Sequence, residues 1–346
     1  MKKSAAILAL AVPCALLPTS AATPLTTYAL NNGTIAVRAT DAIGGRLLSF
    51  SLAGKANFLK TDEQAGDPAA PVDATTPNIG YMGHEMWVGP QSQWWLHQSV
   101  NPARAAEKAS WPPDAYLSLA RYSVKRADAK SIEFDSPASP VSGLQLNKRF
   151  ALVDGKPNSL QLDVSAVNRR DQSVAWDIWF NTRTDGNTWA YVPVANAGDV
   201  RQTVVGGFDG APITYTIDGG ILSLDRLAPP PGQHVRQGKL LIQPSQGWLA
   251  GFHGDQAFII QFDHQAKSAI HPEQGQVELF NDYRPEQPAQ GLLEMEVHAP
   301  YVKLAPGAAM RSHELWTILA YTGAATRSAH IAFLRQHATT LGLRGL

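Results

Sequence analysis

The sequence predicts an all-β protein, a large antiparallel sandwich with one short C-terminal helix. Three observations lead there. Short alternating runs rich in Val, Ile, Phe and Trp recur along the chain, each suited to a strand with one buried face. Gly, Pro, Asn and Asp separate them, and the pairs Asp154-Gly155, Asp185-Gly186, Asp209-Gly210 and Asp218-Gly219 are turn signals. Helical periodicity is scarce. Its best instance is Thr326–Leu341, where Ile331 and Leu334 share a face and Gly342 follows as a stop.

The chain begins with Lys2 and Lys3, a short apolar run from Ala5 to Leu17, and the small residues Ser20, Ala21 and Ala22. That order is expected of a secretory signal over residues 1–22, cleaved near Ala22. Strands are expected at Thr34–Ala39, Arg46–Leu52, Ser131–Phe134, Leu160–Val167, Ala175–Phe180, Ala257–Phe262 and Gln276–Phe280. Thr61–Pro77 and Leu227–Val235 are long polar or proline-punctuated loops, either connectors or lids. No repeat of fixed period and no sharp composition shift divides the remainder, so residues 23–346 are expected to form one domain.

Removing Lys2 and Lys3 from 29 Lys and Arg leaves 27 against 29 Asp and Glu, a mature charge of about −2. This is neither a nucleic-acid footprint nor a polybasic anchor. No later run approaches about 18 apolar residues, so no membrane insertion is expected. The single cysteine, Cys14, lies inside the leader and follows Pro13, which a lipoprotein cleavage site would not carry. Disulfides and thiolate chemistry are thereby excluded from residues 23–346. The expectation is a soluble exported protein, periplasmic or secreted, of undetermined oligomeric state.

Several signatures are absent from the sequence: a Gly-Lys-Ser/Thr phosphate loop, Gly-x-Gly-x-x-Gly, and a Gly-x-Ser-x-Gly elbow. His84-Glu85 and His313-Glu314 lack the second histidine of a zinc-protease helix, since Val88 and Thr317 stand four residues on. No metal and no cofactor is expected.

The run Leu292–Pro306 opens with strict alternation. On a strand Leu293, Met295 and Val297 share one face, and Glu294, Glu296 and His298 share the other. Two carboxylates and an imidazole side by side can serve sugar hydroxyls, protons or a metal; a solvated outer face is the plainer alternative. Met86–Trp111 holds Trp87, Trp94, Trp95 and Trp111, mixed with His84, Glu85, Gln91, His97 and other polar residues. Indole faces stack on the C–H faces of pyranose rings while amides and carboxylates bond hydroxyls. Trp94 and Trp95, as adjacent strand residues, cannot both face one core. In Ala175–Arg183, Trp176, Ile178 and Phe180 form an apolar face against Asp177, Trp179, Asn181 and Arg183. Arg183 could offer a planar fork to a sugar or carboxylate, or stand exposed at a strand end.

These runs resemble a known superfamily. Ile43-Gly44-Gly45-Arg46-Leu47-Leu48-Ser49-Phe50 resembles the Gly-Gly strand near the start of galactose-mutarotase-like domains. Gly83-His84-Glu85-Met86-Trp87-Val88-Gly89-Pro90-Gln91 resembles their binding-site Gly…Pro-Gln loop, and Asp163–Asn168 with Val174–Phe180 resembles their central strand pair. The closing run is the most specific: Asn281-Asp282-Tyr283, Leu293-Glu294-Met295-Glu296 with Pro300, Leu304-Ala305-Pro306-Gly307, then Trp316. It resembles the bacterial DUF4380 group.

The resemblance implies a β-supersandwich whose concave face binds a mono- or oligosaccharide. In aldose mutarotases a glutamate takes the anomeric proton and a histidine protonates the ring oxygen, positioned transfers worth roughly 10²–10⁴-fold each. Glu294 matches the family glutamate, with Glu296 as alternative and His298 beside it. Binding is expected at His84, Glu85, Trp87, Gln91, Trp94, Trp95, His97, Trp179, Asn181, Arg183, Asn281 and Tyr283. The strand comparable to the one that carries the family histidine, Trp176–Arg183, contains none. That departure favours a sugar-binding protein. An epimerase with a relocated histidine (His84, His97, His253 or His298) and a ligand-free interaction sandwich are the alternatives.

Overall fold

The computed structural model describes residues 25–67, 70–203 and 210–346. The expected leader and Asp209 lie outside the described residues. Two antiparallel sheets face each other. The first runs, in spatial order, Tyr28–Asn31, Ile35–Thr40, Arg46–Leu52, His84–Gly89, Val174–Asp185, Leu292–His298, Val277–Tyr283, Arg236–Ile242 and Val200–Thr203. Ala211–Pro212 and Val302–Leu304 add short pairings beside it. The second runs Tyr215–Asp218, Ile221–Leu224, Trp189–Pro193, Trp248–His253, Gln256–Phe262, Ala309–Ala320, Lys156–Asn168, Leu144–Val153, Ser131–Asp135 and Ser123–Ala127.

Strand alternation decides which side chains meet between the sheets. Phe50 of the first sheet lies 5.5 Å from Phe258 and 5.4 Å from Trp316 of the second, in tilted ring contacts. Leu293, Met295 and Val297 join that core, as their alternation requires. The helix Arg327–Leu341 covers the outer face of the second sheet. Its Thr326 cap accepts from the Ala329 amide, and Gly342 ends it in the left-handed region. Ile331 and Leu334 pack there with Tyr191, Phe252 and Tyr321.

The outer face of the first sheet is covered differently. After His84–Gly89 the chain turns through a 3₁₀ segment, Gln91–Gln93, and two short helices, Pro102–Ala106 and Ala115–Ser118. Asn101 and Arg104 tie this cover to the long loop by donating to the Ala74 carbonyl, each at 2.9 Å. Trp94 and Trp95 belong to this turn and not to a strand, which corrects the expectation that they must face apart. On a helical turn successive side chains diverge by about 100°, so each indole finds its own buried seat. Among the described residues no helix is long and apolar enough to cross a membrane.

Candidate functional site

The site is built on three adjacent strands of the first sheet. Register places Glu296 between Asn181 and Glu278, His298 opposite Trp179, and Glu294 opposite Arg183. Directly paired side chains share a face, so these residues project together from the outer side. On the next strand, Glu85 and Trp87 stand opposite Asn181 and Trp179.

The deepest part is an ionic cluster. Lys239, from Arg236–Ile242, places Nζ 2.6 Å from Glu278 and 2.7 Å from Glu296. His298 Nε2 lies 3.5 Å from Glu278 Oε1, and Nδ1 lies 3.4 Å from Asp177 Oδ2. The Gln274 amide also meets His298 Nδ1, at 2.9 Å. Asn181 donates to Glu296 at 3.2 Å. All of these except Lys239 and Gln274 are buried almost completely. Burial pushes the Glu296 carboxyl up, reinforced by Glu294 and Glu278 against the pull of Lys239. Burial acts on Glu278 in the same sense, but Lys239 and His298 outweigh it and hold that carboxyl low. For His298, burial lowers the imidazole while Glu278 and Asp177 raise it further, to about 9. The ligand atoms of Glu278, Glu296 and His298 all lie within 4.8 Å of one another, a spacing that could hold a metal ion. The Lys239 ammonium, however, already sits against both carboxylates, so a cation is supplied by the chain itself.

A second buried network lies alongside. Glu85 takes Arg46 Nη2 at 2.6 Å on one oxygen and Arg183 on the other, and Arg183 Nε reaches Glu294 at 2.7 Å. Burial raises the Glu85 carboxyl, and the two guanidiniums more than reverse it. Arg183 is therefore not an exposed strand end. Its guanidinium lies 5.1 Å from the centre of the Trp87 ring.

Aromatic rings roof this face. Trp179 lies 5.0 Å from Trp87 and 5.9 Å from Trp94, while Trp111 completes the group and is 51% exposed. A cleft of about 320 Å³ opens beside them. Trp179, Lys239 and Glu278 form its floor, and Gln91, Glu273 and Gln274 are among its walls. Lys239 Nζ lies 4.7 Å from the Trp179 ring centre. Of the residues that line the cleft, Trp179 Nε1 and Gln274 Oε1 are buried without a hydrogen-bond partner among the described residues, as are Trp87 Nε1 and Asn181 Oδ1 on the same face of the sheet. Such concentration is unusual where buried polar groups are normally satisfied.

The other residues singled out in the sequence fall as follows. Gln91 stands at the lip, donating to the Ser110 carbonyl. Trp94 packs on Trp179, whereas Trp95 is buried away from the cleft, bonded to the Pro112 carbonyl with Arg104 over its ring. His97 is exposed and lines a separate depression. His84 points into the core, 2.9 Å from Thr182 Oγ1 and 4.7 Å from the Trp316 ring, so it does not reach this face. Asn281 and Tyr283 alternate with Glu278 and also face away. Asn281 bonds the Gly186 and Leu292 carbonyls, and Tyr283 lies under Arg226. Glu278, Lys239, Asp177 and Gln274 were not among the expected site residues. The alternation of Val277 and Leu279 with Glu278 was the available signal for the first.

The fold is a β-supersandwich of the galactose-mutarotase-like kind. The chain belongs to the family described as Domain of unknown function (DUF4380), whose model matches residues 25–319. Among solved structures, a galactose mutarotase-like protein from Lactobacillus casei superposes with a TM-score of 0.55 at 11% identity, covering 85% of this chain and 100% of that one. A putative aldose 1-epimerase from Klebsiella pneumoniae gives 0.51 at 14% identity, covering 90% and 82%. A putative aldose 1-epimerase from Escherichia coli K12 gives 0.50 at 13% identity, covering 86% and 100%. No curated protein matches the chain.

Proposed function

We propose that this protein binds a carbohydrate in the cleft over Trp179, and that it does so outside the cytoplasm after loss of residues 1–22. The observation that carries the first part is one cleft lined by an indole, an ammonium, a carboxylate and an amide, in which Trp179 Nε1 and Gln274 Oε1 have no hydrogen-bond partner among the described residues. A sugar offers both donors and acceptors at close spacing and an apolar face for the aromatic wall. The sugar-related names of the distant fold neighbours point the same way. The basic, apolar and small-residue order of the leader supports export.

Binding fits the site better than epimerase chemistry. Glu296 and His298 are buried beneath the floor, and of the acid–base cluster only Glu278 and Lys239 line the cleft. The test is thermal unfolding of residues 23–346 against a panel of neutral, acidic and oligomeric sugars. A ligand at about 100 times its Kd adds about 2.7 kcal/mol. An upward shift lost in Gln274→Ala supports the reading, and a flat panel makes the cleft a feature of scaffold only. Anomer exchange measured by NMR addresses the epimerase alternative. Exchange that disappears in the Glu294→Gln plus Glu296→Gln double variant would support it over simple binding. N-terminal sequencing of the exported protein tests the leader.

A further inference from the structure

We infer that the ligand is an anionic oligosaccharide, lying across three neighbouring depressions of which the Trp179 cleft is the first. This inference rests on the carbohydrate reading above and narrows it.

The three depressions are neighbours on one side of the molecule. A second depression of about 160 Å³ shares Leu241 and Gln274 with the cleft, so the two are adjacent. A third, of about 320 Å³, lies beyond Tyr301. The Tyr301 ring packs 4.7 Å from His271 of the second depression, and its hydroxyl reaches Gln93 of the third at 3.4 Å. Gln93 belongs to the same 3₁₀ turn whose Gln91 borders the cleft. The first volume alone is near the lower end, about 300 Å³, of ordinary small-ligand sites. Three neighbouring depressions suit a chain of sugar units better than a single ring.

The charge is distributed unevenly. The whole chain balances 29 cationic residues against 29 acids. The first depression sets Glu273 and Glu278 against Lys239, whereas the outer two are lined by Arg201 and Lys267, and by Arg170 and Lys303, with Asp199 as their one acid, so the positive charge lies in the outer two. The Asp199 carboxylate is already engaged by Asn196, through its backbone amide and its side chain. Arg170 spends its donors on the His97, Pro140 and Val141 carbonyls, and Arg201 donates to the Pro272 carbonyl. Carbonyls satisfy the N–H groups without neutralising the charge. None of the four cations forms a direct ion pair among the described residues, and Asp114 acts on Arg170 only at longer range. Positive potential gathered in a groove attracts and orients anions, and uronate or sulfate groups on alternate rings would meet it.

The test uses the full mature chain and calorimetric titration with four probes. They are a galacturonate trisaccharide, its methyl ester, a sulfated trisaccharide and monomeric galacturonate. The acidic trisaccharides are expected to bind at least about tenfold more tightly than the ester, with the difference shrinking as salt is raised from roughly 0.05 to roughly 0.5 M. Comparing the uronate with the sulfate tells which acid group is preferred. Lys267→Gln plus Lys303→Gln removes two exposed, unpaired side chains and should cost the acidic trisaccharides about tenfold while leaving the ester unchanged. Equal binding of ester and acid overturns the anionic assignment, and equal binding of monomer and trimer overturns the groove. Comparable affinity for a single-stranded oligonucleotide would make the surface a general polyanion site and also overturn it. If no saccharide in this set or the neutral panel binds, the carbohydrate reading itself fails.

Discussion

Lys239 and Glu278 meet 2.6 Å apart on the cleft floor, and the same ammonium holds Glu296 at 2.7 Å from the other side. One lysine therefore separates two buried carboxylates that would otherwise repel. Lys239→Met should lower stability by less than the about 3–5 kcal/mol of a fully stranded buried charge, because Glu278 keeps His298 while Glu296 loses its ammonium. Adding Glu296→Gln should restore part of the loss by removing one of the two carboxylates. Urea unfolding of the single and double variants measures both. A Lys239→Met protein as stable as wild type would show that the ion pairs do not hold this face together.

Glu85 separates structural from ligand-contacting roles in the neighbouring network. It is 2% exposed and lies between Arg46 and Arg183, with Arg46 itself fully buried. Glu85→Ala should cost about 3–5 kcal/mol, again by stranding buried charge. Lost sugar affinity with unchanged unfolding would instead place Glu85 among the ligand contacts.

What the sequence made legible follows from what alternation can and cannot say. The outward set Glu294, Glu296 and His298, and the outward set Asp177, Trp179, Asn181 and Arg183, come from period-two patterning alone, and strand pairing then zips them together. The C-terminal helix was legible from Ile331, Leu334 and Gly342. Lys239 was not, because Arg236–Ile242 carries no pattern that marks one lysine, and its role depends on which strand lies next to it in space. Asn281 and Tyr283 are expected at the site from the resemblance and not from alternation. They stood out as a motif, yet their alternation with Glu278 turns them from the cleft. Trp94 and Trp95 were misread because the cover over the sheet is a 3₁₀ turn, which strand logic cannot describe.

Gly89 connects the Gly-Pro-Gln loop to the cleft. A β-carbon there would stand 2.2 Å from Gln274 Nε2 and 2.7 Å from Asp177 Oδ1, both of which bear on His298. Gly89→Ala must push these side chains aside. Sugar affinity should fall about tenfold or more, since displaced polar walls lose their hydrogen bonds, while the fold persists. Unchanged affinity would mean that Gln274 and Asp177 do not shape the bound state.

Glu314 gives the clearest pH dependence. It sits fully buried on the core side of Ala309–Ala320, accepts from Trp316 Nε1 at 2.7 Å, and has no cation beside it among the described residues. Burial pushes its carboxyl from 4.5 up to about 8. The folded protein therefore keeps the proton between those two values while the unfolded chain gives it up. With the folded pKa above the unfolded one, stability is fully present below about pH 4.5 and is lost as pH rises towards about 8. The slope is about 1.4 kcal/mol per pH unit, and the loss levels off above that window. Glu314→Gln keeps an acceptor for the Trp316 N–H but cannot ionise. The variant should match wild type near the acid end and gain on it steadily towards about pH 8. Urea unfolding of both proteins across the window checks this, and parallel pH profiles would show that Glu314 does not hold its proton in the folded state.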